Sequence, residues 1–131
     1  MTPPPRRADH LFSGRLRSVR HALAGISTML RTQANARIHL LATAVVVAAG
    51  VWLDLAAGDW CWLVLAFMAV WTAEALNTAL ELLCDVASPA FHPLVKDAKD
   101  VAAGAVLLGA AGAVVIGVLV LGPPVVARIA P

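Results

Sequence analysis

Charge is scarce in this sequence. Only 14% of its 131 residues are Asp, Glu, Lys or Arg, while 60% are hydrophobic. A soluble domain carries about 25% charged residues, so a water-soluble globule is excluded and an integral membrane protein is expected. Cysteine is equally thin, with two residues, Cys61 and Cys84. They would stand at opposite ends of one helix and cannot bridge within a subunit. There is no cluster of Cys and His with metal-ligand spacing. No GxxxxGK[ST] stretch and no GxGxxG loop occurs, which excludes a soluble-type nucleotide fold. Nor does a small-residue cleavage pattern follow the first apolar run, which begins too far along to be a cleavable signal peptide.

The apolar residues fall in three runs. A bilayer span needs about 20 mostly apolar residues, and Ile38–Ala57, Trp60–Leu83 and Val101–Gly122 each suffice. Seven of the ten basic residues precede the first run: Arg6, Arg7, Arg15, Arg17, Arg20, Arg31 and Arg37. Lys96 and Lys99 lie between the second and third, and the connection holding Asp54 and Asp59 has no basic residue. Basic residues stay cytoplasmic. The N-terminus and residues 84–100 are therefore expected inside, and the C-terminus, with Arg128, outside. Trp52, Trp60 and Trp62 read as an outer aromatic belt, and Trp71 as packing.

Residues 1–9 are Pro-rich and basic and are expected to be disordered. From about His10 to Arg31 the pattern becomes helical. Leu11, Val19, Ala22, Leu23, Ile26, Met29 and Leu30 can gather on one side, with Arg15, Arg17 and Arg20 towards water. That predicts an amphipathic helix on the cytoplasmic surface, serving as an anchor, as part of a site, or as both. The third span carries Ala105, Gly109, Ala113 and Gly117, a small-residue ridge suited to close helix approach. Pro123 and Pro124 are expected to end it. The stretch Ser88–Pro93 reads as a turn, with Pro93 well placed at a helix start. The expected architecture is all-α: one domain over 10–131, with a surface helix and three spans. Three helices enclose little space, so self-association is expected.

The second span is apolar for fourteen residues and then is not. Glu74, Asn77, Glu81 and, just beyond, Asp85 share an arc of roughly 80° at 100° per residue. Ionisable groups inside a span are costly and usually functional. Glu74 and Glu81 are about 10.5 Å apart along the axis, too far to grip one ion, so two roles follow. Glu74 is placed to act on a lipid headgroup near the interface, and Glu81 to hold metal and nucleotide. Magnesium takes carboxylate oxygens together with substrate phosphates. Lys99, with Asp100, enters from the next helix at the same level and can neutralise phosphate charge. Two readings stay open on the residues alone: phosphoryl transfer at a membrane surface, or a small transporter or channel subunit using its carboxylates as a proton or cation relay.

A resemblance separates them. The run Glu74-Ala-Leu-Asn77-Thr-Ala-Leu-Glu81, then Asp85, His92-Pro-Leu and Ala98-Lys99-Asp100-Val-Ala-Ala-Gly104-Ala-Val resembles the signature of the prokaryotic diacylglycerol kinase family, which includes the undecaprenol kinases. Arg31-Thr32-x-x-Asn35-x-x-x-His39 is similar to the family's stretch before its first span. The signature is specific, and the likeness reaches nearly the whole chain past residue 12. It implies a homotrimeric lipid kinase using ATP and Mg2+ in the bacterial cytoplasmic (inner) membrane, with no nucleic-acid partner. It implies Glu74 as catalytic base, with Asn77 beside it. Glu81 falls at a magnesium ligand and Asp85 at an acid near the nucleotide. His21, His92, Lys99 and Asp100 fall at ATP-contacting positions. Diacylglycerol and undecaprenol are both implied as acceptors, the HPL and AAGAV wording leaning to the second.

Two positions depart from the family. Gln33 stands where a second magnesium-binding glutamate is usual, offering a carbonyl oxygen without charge. Gly14 stands where an arginine is expected in the surface helix, and Arg15 or Arg17 would have to meet the substrate instead. Plainer roles stand beside these. Asn77 could cross-link helices, Lys96 and Asp97 read as solvated interface charges, and His39 reads as interfacial packing. A non-enzymatic relay or regulator with a degenerate site is the alternative that Gln33 alone favours.

Overall fold

A computed structural model of the chain describes residues 7–130. Four helices follow one another: α1 (Arg7–Thr32), α2 (Ala34–Trp52), α3 (Ala57–Ala87) and α4 (Pro93–Ile129). The chain divides into two compact units, 1–32 and 33–131. Of the disorder expected over residues 1–9, residues 1–6 lie outside the described residues and 7–9 are instead helical; the side chain of Leu11 also lies outside them.

The first unit is α1, which begins at Arg7, three residues before the start read from sequence. Leu16, Val19, Leu23 and Ile26 are all exposed and lie within one arc of about 80°. An exposed apolar stripe along a helix fits one lying in a membrane interface. Ser18, Thr28 and Thr32 each donate a hydroxyl hydrogen bond to the carbonyl four residues back, so these polar groups are satisfied within the helix.

The second unit holds α2, α3 and α4, three helices long and apolar enough to cross a membrane. The most extensive pairing is α3 with α4, and the small-residue ridge explains it. A Cβ on Gly109 would lie 3.7 Å from the Cα of Val70, so backbone meets backbone there. Further tied to this pair, α2 receives a hydrogen bond at Thr43 Oγ1 from Trp71 Nε1 at 3.2 Å.

Helix α3 starts three residues before and ends four beyond the expected Trp60–Leu83, and three further boundaries differ from the sequence reading. Helix α2 starts at Ala34, four residues early, with only Gln33 (φ −100°, ψ 120°) between it and α1. It ends at Trp52, where the apolar run suggested Ala57. The amide of Leu55 donates to the Gly50 carbonyl and that of Asp54 to the Val51 carbonyl, which is the Schellman pattern of a helix C-terminus. It requires a left-handed residue, and Asp54 supplies it at φ 56°, as a short polar side chain can. At the same corner the Trp60 ring packs on Gly50, where a Cβ would come within 2.9 Å of it.

The third correction concerns Pro123 and Pro124, which do not end α4. The helix carries both and runs on to Ile129. Each proline forfeits a hydrogen bond to the carbonyl four residues back, yet its fixed φ is helical. Gly122 removes the Cβ part of the clash imposed on a residue before proline. The extra turns end in an anchor: the Arg128 guanidinium stacks 4.8 Å from the Trp52 ring centre and donates Nη1–H to the Trp52 carbonyl at 3.0 Å. Trp52 and Trp62 are exposed at this end, where a tryptophan belt would lie.

Candidate functional site

The buried residues of α3 change character along the helix. Leu63, Ala66 and Val70 are followed by Glu74, Asn77 and Thr78. The same stripe that packs α3 against its neighbours therefore turns polar part-way along. Glu74 is 0% exposed, and its carboxylate oxygens have no side-chain hydrogen-bond partner; the Ala36 backbone amide is the one donor beside them, outside good hydrogen-bond geometry. Thr78 spends its hydroxyl on the Glu74 backbone carbonyl at 2.9 Å and leaves the carboxylate alone. Burying a carboxyl group without a partner is expensive. His39 and Glu81 are its ionisable neighbours.

One turn further on, Glu81 is held from two sides. Asn77 donates Nδ2–H to Glu81 Oε1 at 3.0 Å, the i to i+4 contact of one helix face. Gln33 donates Nε2–H to Glu81 Oε2 at 2.7 Å. The amide oxygen of Asn77 is buried and has no partner. A cavity of about 260 Å3 opens beside this group, with Asn35, His39, Asn77 and Glu81 on its wall. A second cavity, about 500 Å3, runs away from it between α2, α3 and α4, lined by His39 and otherwise mostly by apolar side chains including Val70, Phe67 and Ala110. Val70 and Asn77, a turn to either side of Glu74, thus line different cavities, and His39 lines both.

Beyond Ala87, α4 brings its own charges back. His92 is its N-cap, without a side-chain capping bond, and Pro93 opens the first turn. Lys99 donates to Asp85 at 2.6 Å, across from α4 to α3. The side chains stay 37% and 66% exposed, so water weakens the pair and Lys99 can exchange Asp85 for another anion. Asp100 does not join them. Consecutive helical residues point about 100° apart, and Asp100 pairs with Lys96 on the outer face of α4 instead.

Of the residues singled out by sequence, Gln33, Asn77 and Glu81 form one hydrogen-bonded group, with Glu74 buried a turn deeper, and Asp85 and Lys99 form a second. His92 is exposed at the head of α4. His21, Arg15 and Arg17 are exposed on α1. Arg15 and Arg17 point about 160° apart around that helix, so one bound ligand meets only one of them. Asn35 and His39 join the cavity wall although sequence reading placed neither in the site. Their i, i+4 spacing at the start of α2 was the available signal.

The donor set suits a divalent ion that brings oxygens of its own: one carboxylate, the orphaned Asn77 oxygen, and the Gln33 oxygen if that amide turns over. Among the described residues no three His, Cys, Asp or Glu side chains gather closely enough to hold an ion by themselves.

Residues 20–121 match the sequence model of the prokaryotic diacylglycerol kinase family. A diacylglycerol kinase of Synechocystis sp. is 44% identical over 108 residues, 82% of this chain and 62% of that protein. The chain therefore spans less than two thirds of that relative's length. An undecaprenol kinase of Bacillus subtilis is 37% identical over 79% of this chain and 84% of its own length. A diacylglycerol kinase of Pseudomonas aeruginosa is 29% identical over 80% and 85% respectively.

Proposed function

Because the chain belongs to the prokaryotic diacylglycerol kinase family, we propose that it is a membrane lipid kinase, transferring the γ-phosphoryl group of ATP to the hydroxyl of a lipid alcohol. One observation carries the mechanism: a carboxylate without a side-chain partner, Glu74, fully buried on α3 between Val70, which lines the apolar cavity, and Asn77, which lines the cavity beside Glu81. The lipid chain occupies the apolar side and the nucleotide phosphates approach from the Glu81 side. Glu74 takes the proton of the lipid hydroxyl as its oxygen bonds to the γ-phosphorus and the bond to ADP breaks. Asn77 and Gln33 keep Glu81 directed into the polar cavity. Lys99 leaves Asp85 to pair with phosphate oxygens, lowering their repulsion towards the incoming oxygen. Mg2+, held by Glu81 with the amide oxygens of Asn77 and Gln33, would neutralise charge on the transferring group when bound. His92, Asp85 and Asp100 sit at the nucleotide end, His21 is a nucleotide contact from α1, and Arg15 or Arg17 meets the lipid headgroup.

Relatives of both names, diacylglycerol kinase and undecaprenol kinase, leave the acceptor to experiment. Purified protein in mixed micelles, given radiolabelled ATP and a panel of lipid alcohols, is expected to label diacylglycerol or undecaprenol. Labelling of neither, with no ATP consumed on any lipid alcohol, would return the chain to the relay or regulator reading.

The same reading places the protein in the bacterial cytoplasmic membrane, N-terminus inside and C-terminus outside. Its support is the six basic residues before α2, with Arg37 in its first turns, and the basic-free connection at 53–56. A cysteine at Gly58, in a background without Cys61 and Cys84, is expected to react with an impermeant thiol reagent added outside intact cells. Labelling only after permeabilisation inverts the topology and removes the cytoplasmic nucleotide site. A homotrimer is part of this reading as well, motivated by the polar stripe that three helices alone cover poorly. Light scattering of the detergent complex giving a monomer mass overturns it.

A further inference from the structure

Gln33 is the N-cap of α2, yet its side chain makes no capping bond. Short residues are favoured at that position because their oxygen reaches back to the first free amides. Gln33 instead reaches a residue 48 positions away, Glu81. The direction of that bond is fixed by chemistry. An ionised carboxylate only accepts, so the amide must present its NH2 and turn its oxygen elsewhere. Asn77 does the same at the other carboxylate oxygen and is left with a buried, partnerless carbonyl oxygen. Each oxygen of Glu81 therefore accepts one hydrogen bond from a neutral donor.

A bare cation arriving here meets one negative charge and amide hydrogens aimed the wrong way. Magnesium gives up water reluctantly and is commonly held by one or two carboxylates plus substrate phosphates. A glutamate at position 33 would create the opposite situation. Two carboxylates at that distance repel each other unless a cation lies between them, so such a site would call for an ion before any nucleotide.

We propose that Gln33 is a positioning residue that holds Glu81 ready without metal, and that it makes this chain's site take its divalent ion only together with a nucleotide. Glu81, the Asn77 oxygen and the Gln33 oxygen, once that amide turns over, would hold the ion when it comes with the nucleotide phosphates, and the phosphate oxygens would supply the charge that a second carboxylate does not. The inference rests on the kinase reading and adds an order of binding to it.

Manganese(II) is the probe, with full-length protein in zwitterionic nanodiscs. Bound ion is read by electron paramagnetic resonance after filtration, with and without a non-hydrolysable ATP analogue. Wild type is expected to bind manganese at least about tenfold more tightly with the analogue than without it. Gln33→Glu is expected to gain manganese binding in the absence of nucleotide, closing most of that gap. Gln33→Leu, which removes the donor and adds no charge, should weaken binding of the manganese–analogue pair. Equal manganese binding by wild type with and without the analogue overturns the proposal, and this comparison needs no variant. A folded Gln33→Glu protein with no nucleotide-free manganese also overturns it, as does a Gln33→Leu protein that binds the pair like wild type. Failure of the labelled analogue to bind wild type at all strikes the kinase reading first. It is distinguishable from an analogue that binds regardless of the ion, which strikes only the order of binding.

Discussion

Glu74→Gln is expected to lower phosphoryl transfer by about 10²–10⁴-fold, the usual cost of losing a general base. The substitution keeps the shape of the side chain and removes its capacity to take a proton. Its environment makes the result diagnostic. Glu74 is fully buried and its oxygens have no side-chain partner, only the Ala36 backbone amide beside them, so no ion pair is broken, and the amide oxygen of glutamine can still accept from that N–H. A neutral amide is also easier to bury than a charge. The variant should therefore be folded and at least as stable as wild type, with its affinity for nucleotide nearly unchanged, since the nucleotide groups proposed above lie at Glu81 and beyond. Gel filtration, nucleotide binding and turnover measured on one preparation separate these quantities. Retention of more than about half of the activity would sink the assignment of Glu74 as base.

Glu81→Gln attacks the other half of the site. It deletes the one carboxylate that Gln33 and Asn77 both hold. It also sets three amides together, whose NH2 groups then compete for too few acceptors. Transfer is expected to fall by about 10²–10³-fold, in the range of losing a preorganised electrostatic group at a reacting phosphate. Unlike Glu74→Gln, part of the loss should be recovered by raising magnesium, because affinity for the ion depends on the number of charged ligands. The two variants thus predict different magnesium titrations, one scaled down at constant midpoint and one shifted to higher concentration. An unshifted midpoint for a folded Glu81→Gln protein removes the metal from this position.

The contrast between these residues shows what the sequence could and could not carry. The spacing of Glu74, Asn77 and Glu81 in an apolar run already gave the acidic face, because a charge amid hydrophobic residues stands out and helical geometry places its neighbours. The three long apolar helices were legible for the same reason. Gln33 was legible only as a departure at a metal position. Its bond to Glu81 joins residues 48 apart, and no local pattern reports which way an amide will face. The burial of Glu74 without side-chain partners is likewise a property of packing. The end of α2 was misread because its left-handed cap is Asp54 rather than the glycine that usually marks one. The end of α4 was misread because two prolines are a strong stop signal, and the anchor of Arg128 on Trp52 that rewards continuing is made with a residue 76 positions away. Asn35 and His39 were quoted in the resemblance yet left out of the site, since polar residues at the start of an apolar helix look like interface.

The unbroken length of α4 has a consequence of its own. Its 37 residues make a rod of about 55 Å, against a hydrocarbon core of roughly 30 Å. Eight residues, 93–100, stand clear of the apolar run at one end, with Lys99 among them, while the other end is pinned by Arg128 to Trp52. A loop would let Lys99 adjust its height to whatever it binds. A rod makes the cation's height and compass bearing a matter of register. Losing a single residue anywhere between 101 and 127 would shift Lys99 about 1.5 Å relative to the far anchor and swing it about 100° around the axis, away from Asp85. The long apolar stretch of α4 is in this sense a measured spacer, and its residue count is as much a part of the site as the side chains at its end.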